Sequence, residues 1–289
     1  TASLNLGSVS VEANGIGGIG GSGANGQGGG FGGAGYGGYA EFSYTDPNGT
    51  GVGSGTVSFD NLELYAQGFG GSGGSSDTGS VGDGGSGFGG YASVAAFAGM
   101  LTTGNLVLDA SGFGGFGAYG GTGEGGDAEM WIDGGGVTAS GYAALFANGY
   151  GGGGTILGGT GYGGYAIIGL EGMDGPSAGA TLDVTGDVIL DVSGVGGSGA
   201  DNPDGVGGIG GDGYGGSASL YVSGDIQSGK TITVNAGSIT IGANGDGGAG
   251  GSGLTGGAGG NGYGGQEVYA QLLGGTITSG FISVNAAGA

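Results

Sequence analysis

The sequence predicts an all-β repeat fold: a β-solenoid of about six coils carrying glycine-rich hairpin arms in polyproline-II or polyglycine-II conformation, packed as a bundle, with essentially no α-helix. Three observations predict it. An alternating apolar motif returns six times, glycine recurs every third residue between the copies, and no stretch shows the 3.6-residue period of a helix.

The alternating motif is apolar-x-apolar-x-Ala/Val-x-Gly. It reads Val9-x-Val11-x-Ala13-x-Gly15, Leu62-x-Leu64-x-Ala66-x-Gly68 and Leu106-x-Leu108-x-Ala110-x-Gly112. It returns as Ala143-x-Leu145-x-Ala147-x-Gly149, Val188-x-Leu190-x-Val192-x-Gly194 and Ile239-x-Ile241-x-Ala243-x-Gly245. A period of two puts alternate side chains on one buried face of a strand. The copies are 53, 44, 37, 45 and 51 residues apart, so a constant coil carries an insertion of variable length. We read residues 1–289 as one repeat domain, with repeats at 3–55, 56–104, 105–141, 142–186, 187–237 and 238–289.

A second signature, aromatic-Gly-Gly, follows each insertion at Tyr36, Phe88, Tyr162, Tyr214 and Tyr263, with Glu124 replacing the aromatic in the third copy. Alternating runs follow, such as Ala92/Val94/Ala96 and Ala166/Ile168/Leu170. In the last copy, Val268/Ala270/Leu272, the alternation is displaced by one residue, as a bulge would do. A third short strand is expected to close most coils, at Thr231–Val234 and Phe281–Val284.

Between the signatures, glycine falls at 17, 20, 23, 26, 29, 32, 35 and 38, and again at 247 through 265 in steps of three. Three residues per turn is the polyproline-II repeat, so each arm carries an all-glycine edge on which neighbours can close. An isolated arm could not offset roughly 1–2 kcal/mol of backbone entropy per residue, so the arms must hydrogen-bond to one another. Tips are expected at Ala24-Asn25, Ser75–Asp77, Ala118-Tyr119, Asp201–Asp204 and Leu254-Thr255. Phe31, Phe69, Phe88, Phe113 and Phe116 are expected to cover the seam between arms and solenoid or to line a lateral contact between molecules, the seam being the favoured reading.

Composition narrows the function. Glycine supplies 95 of 289 residues with only 3 prolines, which excludes collagen. A mean hydropathy of +0.15 argues against a disordered linker. There is no His, Cys or Arg, and Lys230 is the only cation, so the usual acid–base, thiolate and anion-clamping equipment is missing and the chain reads as a non-enzyme. A formal charge of −22 disfavours nucleic acid and anionic membranes, and no apolar run approaches a membrane span. The start at Thr1-Ala2 reads as a processed form or a fragment.

Triplets such as Gly17-Gly18-Ile19-Gly20-Gly21-Ser22 resemble the polyglycine-II bundles of snow flea antifreeze protein and of some phage tail-tip adhesins. The strand–arm alternation, as in residues 9–21 and 35–44, resembles glycine-rich repeats of bacterial filamentous-haemagglutinin-type surface proteins. That resemblance implies an exported, extracellular bacterial protein.

Several candidate sites remain. Asp201, Asn202, Asp204 and Asp212 offer hard oxygens for Ca²⁺, as do Asp46 and Asn48; the alternative is a set of solvated turn carboxylates and Asx turns. Asn48-Gly49-Thr50 fits a glycosylation acceptor, and Gly15-x-Gly17-x-x-Gly20 is a chance match to a dinucleotide fingerprint with no helix behind it. The pairs Thr231/Thr233 and Thr276/Thr278 are too few for an ice-binding array. Leu4, Leu6, Val9 and Val11 at one end, and Phe281, Ile282 and Val284 at the other, read as uncapped strand edges. The expected function is a self-assembling structural subunit of an extracellular filament, surface fibre or matrix, stacked head to tail as a homopolymer, with no cofactor beyond that calcium. The alternatives are an ice-binding protein, or an adhesin that meets a glycan or receptor through the arm aromatics Phe116 and Tyr119.

Overall fold

The computed structural model describes residues 3–44, 55–77, 80–97, 99–172, 179–224 and 231–289. Asp46, Asn48, the Asn48-Gly49-Thr50 acceptor and Lys230 lie outside them. Among the described residues there is no helix, and every strand pairing is parallel, as expected for coils that climb one axis.

Three lanes of strands form the solenoid. The first lane stacks Ser3–Asn5, Thr56–Ser58, Gly99–Thr103, Gly135–Ala139, the start of Thr181–Asp191, the start of Thr233–Gly242, and Thr276–Ser279. The second stacks Val9–Glu12, Asn61–Tyr65, Asn105–Asp109, Ala143–Phe146, the remainders of those two long strands, and Ile282–Asn285. The third stacks Tyr39–Tyr44, Tyr91–Ala96, Asp127–Asp133, Tyr165–Glu171, Ser217–Ser223 and Glu267–Leu272. Each motif copy pairs with the next in strict register, for example Leu62 with Leu106 and Leu64 with Leu108.

The alternation has the expected consequence. Leu62, Leu64, Leu101, Leu106, Leu108, Met130, Ile168 and Leu190 are completely buried in one continuous core shared by all three lanes. The motif narrows to Ala66, Ala110, Ala147, Val192 and Ala243, also completely buried, where the chain leaves the coil for an arm. Here the two sequence signatures meet. The second glycine of each aromatic-Gly-Gly donates its N–H to that small residue's carbonyl, as Gly90 to Ala66 (2.6 Å) and Gly164 to Ala147 (2.7 Å). The first glycine passes so close to the corresponding carbonyl of the next coil that a Cβ on Gly89 would collide with Ala110 and one on Gly163 with Val192. The pair of glycines is the latch that closes each coil.

Two expectations about the strands are corrected. Phe281–Val284 does not belong to the third kind of strand. Ile282 and Val284 pair with Ile239 and Ile241, and Gly288 bridges to Gly245, which makes Ile282-x-Val284-x-Ala286-x-Gly288 a seventh copy of the alternating motif. The displaced alternation at Val268 is not a bulge within the ladder, since Ser217–Val222 and Glu267–Leu272 pair without interruption. One extra residue, Gln266, sits ahead of the strand instead.

Candidate functional site

Each arm leaves the solenoid, turns, and returns beside itself, and the arms assemble into a slab two layers thick. Outgoing segments stack on outgoing segments: Gly17, Gly20 and Gly23 donate to the carbonyls of Phe69, Ser72 and Ser75, one bond per three residues. Returning segments do the same, with Gly29, Gly32 and Gly35 donating to Ser80, Asp83 and Ser86. One bond in three residues is what a threefold extended helix offers to a single neighbour.

The second glycine of each Gly-Gly-x triplet joins the two layers. Gly33 donates to Gly18 and accepts from Gly71, and the sequence of bonds continues through Gly85, Gly115, Gly121, Gly152, Gly159, Gly197, Gly211, Gly248 and Gly260, all at 2.7–2.9 Å. From Gly71 onward these positions are glycine because a Cβ would strike a peptide of the preceding arm in the same layer, as at Gly121 against Gly85. Aligned peptide bonds of this kind polarise one another, so the relay is expected to be cooperative along the axis. At the first tip, Asn25 (φ 54°) and Gly26 (φ 80°) are both left-handed and Gln27 donates to Ala24 (3.2 Å), a turn that Asn-Gly suits.

With two edges of every arm committed to neighbours, the x side chains point outward. The expected seam-covering role for the phenylalanines is therefore replaced by ladders on the outer faces. On the outgoing layer Phe69, Phe113 and Tyr150 stack at 4.9 Å with nearly parallel planes. On the returning layer Tyr36 stacks on Phe88 at 4.9 Å, and Tyr162 on Tyr214 on Tyr263 at 4.9 and 4.6 Å. Glu124 occupies the rung between Phe88 and Tyr162. Phe31 is 75 % exposed and Phe116 46 %.

Asp201, Asp204 and Asp212 are not grouped as one site. Asp201 accepts from the Ser252 N–H (2.7 Å), which holds its carboxyl below the usual range, chiefly through its bonds to Ser252. The Asn202 amide donates to the Val206 carbonyl (3.3 Å), and Asp212, further down the shaft, accepts from the N–H (2.7 Å) and side chain (3.0 Å) of Asn261. Among the described residues no three acidic, His or Cys side chains are grouped as a metal would require.

The end-coil residues are exposed on their strands' inward-facing sides. Leu4 is 52 % exposed although its register partner Val57 is buried, and Leu4, Leu6, Phe42 and Tyr44 line a depression of about 310 Å³. Phe281, Ile282 and Val284 are likewise exposed, while Val9 and Val11 are half-buried.

Two further surfaces were not legible beforehand. On the third lane Glu129 accepts from both the Tyr91 hydroxyl (2.8 Å) and the Trp131 indole N–H (3.0 Å) through one oxygen, Oε2. Burial first, then that bond, pushes the Tyr91 phenol up to about 12. At the foot of the outgoing arms Asp109, Ser111, Phe113, Phe146, Asn148, Tyr150 and Asp191 line a cavity of about 270 Å³, and burial followed by Asp191 and Asp109 raises the Tyr150 phenol.

No protein-family model matches the chain, and no curated protein or solved structure matches it either. The fold defines the chain as a parallel β-solenoid with a glycine-arm slab.

Proposed function

We propose that the protein is a structural, non-catalytic element of an extracellular filament, surface fibre or matrix, in which coil follows coil along one axis. The observation that carries this reading is the shared direction of every repeated contact. All three lanes, both arm layers and the glycine relay pair along the same axis in parallel register.

Where the stack faces solvent, it carries the means to continue. The inward-facing Leu4 and Leu6 at one end and Ile282 and Val284 at the other are apolar and exposed. Burying such side chains contributes about 1.5–3 kcal/mol each. The next coil can come from a second copy or from further length of the same chain. A contact between unlike ends does not close, so copies that stack this way form a filament. The bacterial surface resemblance and an extracellular location belong to the same proposal.

Electron microscopy of the protein at neutral pH, with and without a calcium chelator, tests it. Filaments with an axial period near that of the seven strands stacked in the first two lanes, about 34 Å from the strand spacing, are expected. Their loss in Leu4→Asp or Val284→Asp would place the joint at the coil faces, and their loss on chelation would add a metal. Discrete particles at every concentration would overturn stacking between copies.

One observation favours a second reading, ice binding. The outward side chains of the first lane form two ranks, Thr56, Met100, Gly136, Thr181, Thr233, Thr276 beside Ser58, Thr102, Thr138, Asp183, Asn235, Thr278. Thr231 stands outside these ranks, yet hydroxyls are more regular here than the two sequence pairs suggest. Met100, Gly136, Asp183 and Asn235 interrupt them, and thermal hysteresis of the protein decides between the readings. The glycan reading gains less, because Tyr119 shares its tip with Ala118 while the other tips carry Asn25, Asp77, Asp204 and Leu254.

A further inference from the structure

The first four arms of the outgoing layer combine exposed apolar side chains with an absence of outward carboxylates. The chain as a whole carries 23 carboxylates against one cation, so copies repel one another in general. The outward positions of the first four outgoing arms hold Ile16, Ile19, Phe69, Phe113, Phe116 and Tyr150, together with serines and glycine, and no carboxylate. The layer's carboxylates, Asp201 and Asp246, lie in the fifth and sixth arms. Ile16 and Ile19 are 80 % and 79 % exposed.

We propose that this face is a lateral contact between two copies of the chain, packed outgoing layer against outgoing layer about a twofold axis. Three features of the face fit a second copy better than another occupant. Both partners carry the same axial period, set by rings 4.9 Å apart, so the ladder of one can seat between the rungs of the other without adjustment. The face is flat, because its framework is glycine peptides held on two edges by hydrogen bonds. An antiparallel pairing centred on the first four arms sets arm one of each copy against arm four of its partner. The fifth and sixth arms then overhang, and Asp201 and Asp246 of the two copies never meet.

The area bears on strength. Four arms at about 4.8 Å by about 25 Å of arm length give about 500 Å² per partner and about 1,000 Å² in all, the lower limit for a specific interface. A single pair is therefore weak, and pairs repeated along a filament gain by multivalency, less the repulsion where overhanging acidic arms of successive copies face one another. The contact does not depend on end-to-end stacking, and it would turn single strands into paired ones wherever stacking occurs.

Sedimentation of the full chain, from roughly one to several hundred micromolar, together with microscopy of the same samples, tests the proposal. The variant Ile19→Glu places a charge on the first arm, where it faces the partner's fourth arm, and Phe31→Glu places the same charge on the returning layer, where Phe31 is similarly exposed. Far-ultraviolet circular dichroism establishes that both retain the fold. The expected result is a concentration-dependent dimer for the wild type and Phe31→Glu, with at least a tenfold weaker dimer for Ile19→Glu. Where strands form, Ile19→Glu should leave them single. A wild type that stays unpaired throughout, an Ile19→Glu dimer of unchanged strength, or equal weakening by both variants would each overturn it. A monomer that instead adsorbs to alkyl-coated beads through Ile19 would assign the face to a non-protein apolar surface. Absence of strands with an intact monomer–dimer equilibrium would remove axial stacking and leave this contact standing.

Discussion

The indole of Trp131 lies over Gly169 of the next coil so closely that a Cβ on Gly169 would collide with ring atoms Cε3 and Cζ3. The two residues are register partners on the third lane, and the absent side chain is what allows the ring to lie flat. Gly169→Ala should therefore lift the indole, break its bond to Glu129, and cost about 1–3 kcal/mol. Trp131 is the only tryptophan, so its fluorescence reports the site alone. A red-shifted emission with a lowered melting temperature is expected, and unchanged emission would show that the ring already stands away from the strand.

The glycine relay makes a sharper comparison. Gly18 and Gly152 hold equivalent places in their triplets, but nothing lies within 4 Å of a Cβ on Gly18, whereas one on Gly152 meets the Gly115 peptide. Gly152→Ala must separate two arms and break relay bonds, at a cost on the order of 3 kcal/mol. Gly18→Ala restricts the unfolded chain without a clash and should be neutral or stabilising by up to about 1 kcal/mol. Denaturant melts of the two variants check this. Equal destabilisation would mean that the helix itself, rather than the approach of its neighbour, selects glycine.

Much of this architecture was readable because it is periodic. Leu62-x-Leu64-x-Ala66 announces a strand with one buried face, and triplets such as Gly17-Gly18-Ile19 announce a threefold helix, since both periods are local properties of the backbone. What pairs with what is long-range. That Gly33 bridges Gly18 and Gly71 cannot be read from a spacing, because every glycine in the arm repeats alike. The same limit misplaced the aromatics. Their period shows that they share an edge, but only the two-layer packing shows that the other edges are occupied and that Phe69 and Phe113 must face out. The seventh motif copy at Ile282 was masked by its position beside Thr276–Ser279, which looks equally strand-like. The carboxylates of residues 201–212 looked like a cluster because they are near in sequence, yet the arm carries Asp212 away from its tip.

Glu124 is the one departure from the returning ladder that can be repaired. It sits on the rung between Phe88 and Tyr162, with ring stacks at 4.9 Å on either side of the gap. Glu124→Tyr would join the two stacks and remove one charge from a strongly acidic protein. Two new ring contacts at about 0.5–1.5 kcal/mol each predict a raised melting temperature. Glu124→Gln removes the charge without the ring, so a gain seen in both variants would credit electrostatics alone.

Tyr65 and Tyr91 predict an alkaline limit to stability. Each hydroxyl donates to a carboxylate, Tyr65 to Glu63 at 3.1 Å and Tyr91 to Glu129 at 2.8 Å. Burial, then the hydrogen bond, raises both phenols from 10.0 to about 12. The fold thus favours the neutral phenol. Its contribution is complete below the unfolded value of 10.0, shrinks as the unfolded chain ionises, and is gone once pH passes the folded value near 12. Chemical denaturation across that window should show stability falling as pH rises. The double variant Tyr65→Phe with Tyr91→Phe should fall less steeply, because it removes two groups that bind protons more tightly when folded. Phenolate absorbance gives an independent reading, with part of the tyrosine titration delayed in the folded protein and released on unfolding. A double variant that declines as steeply as the wild type would assign the alkaline loss to other tyrosines, of which Tyr150 and Tyr165 are also raised by burial.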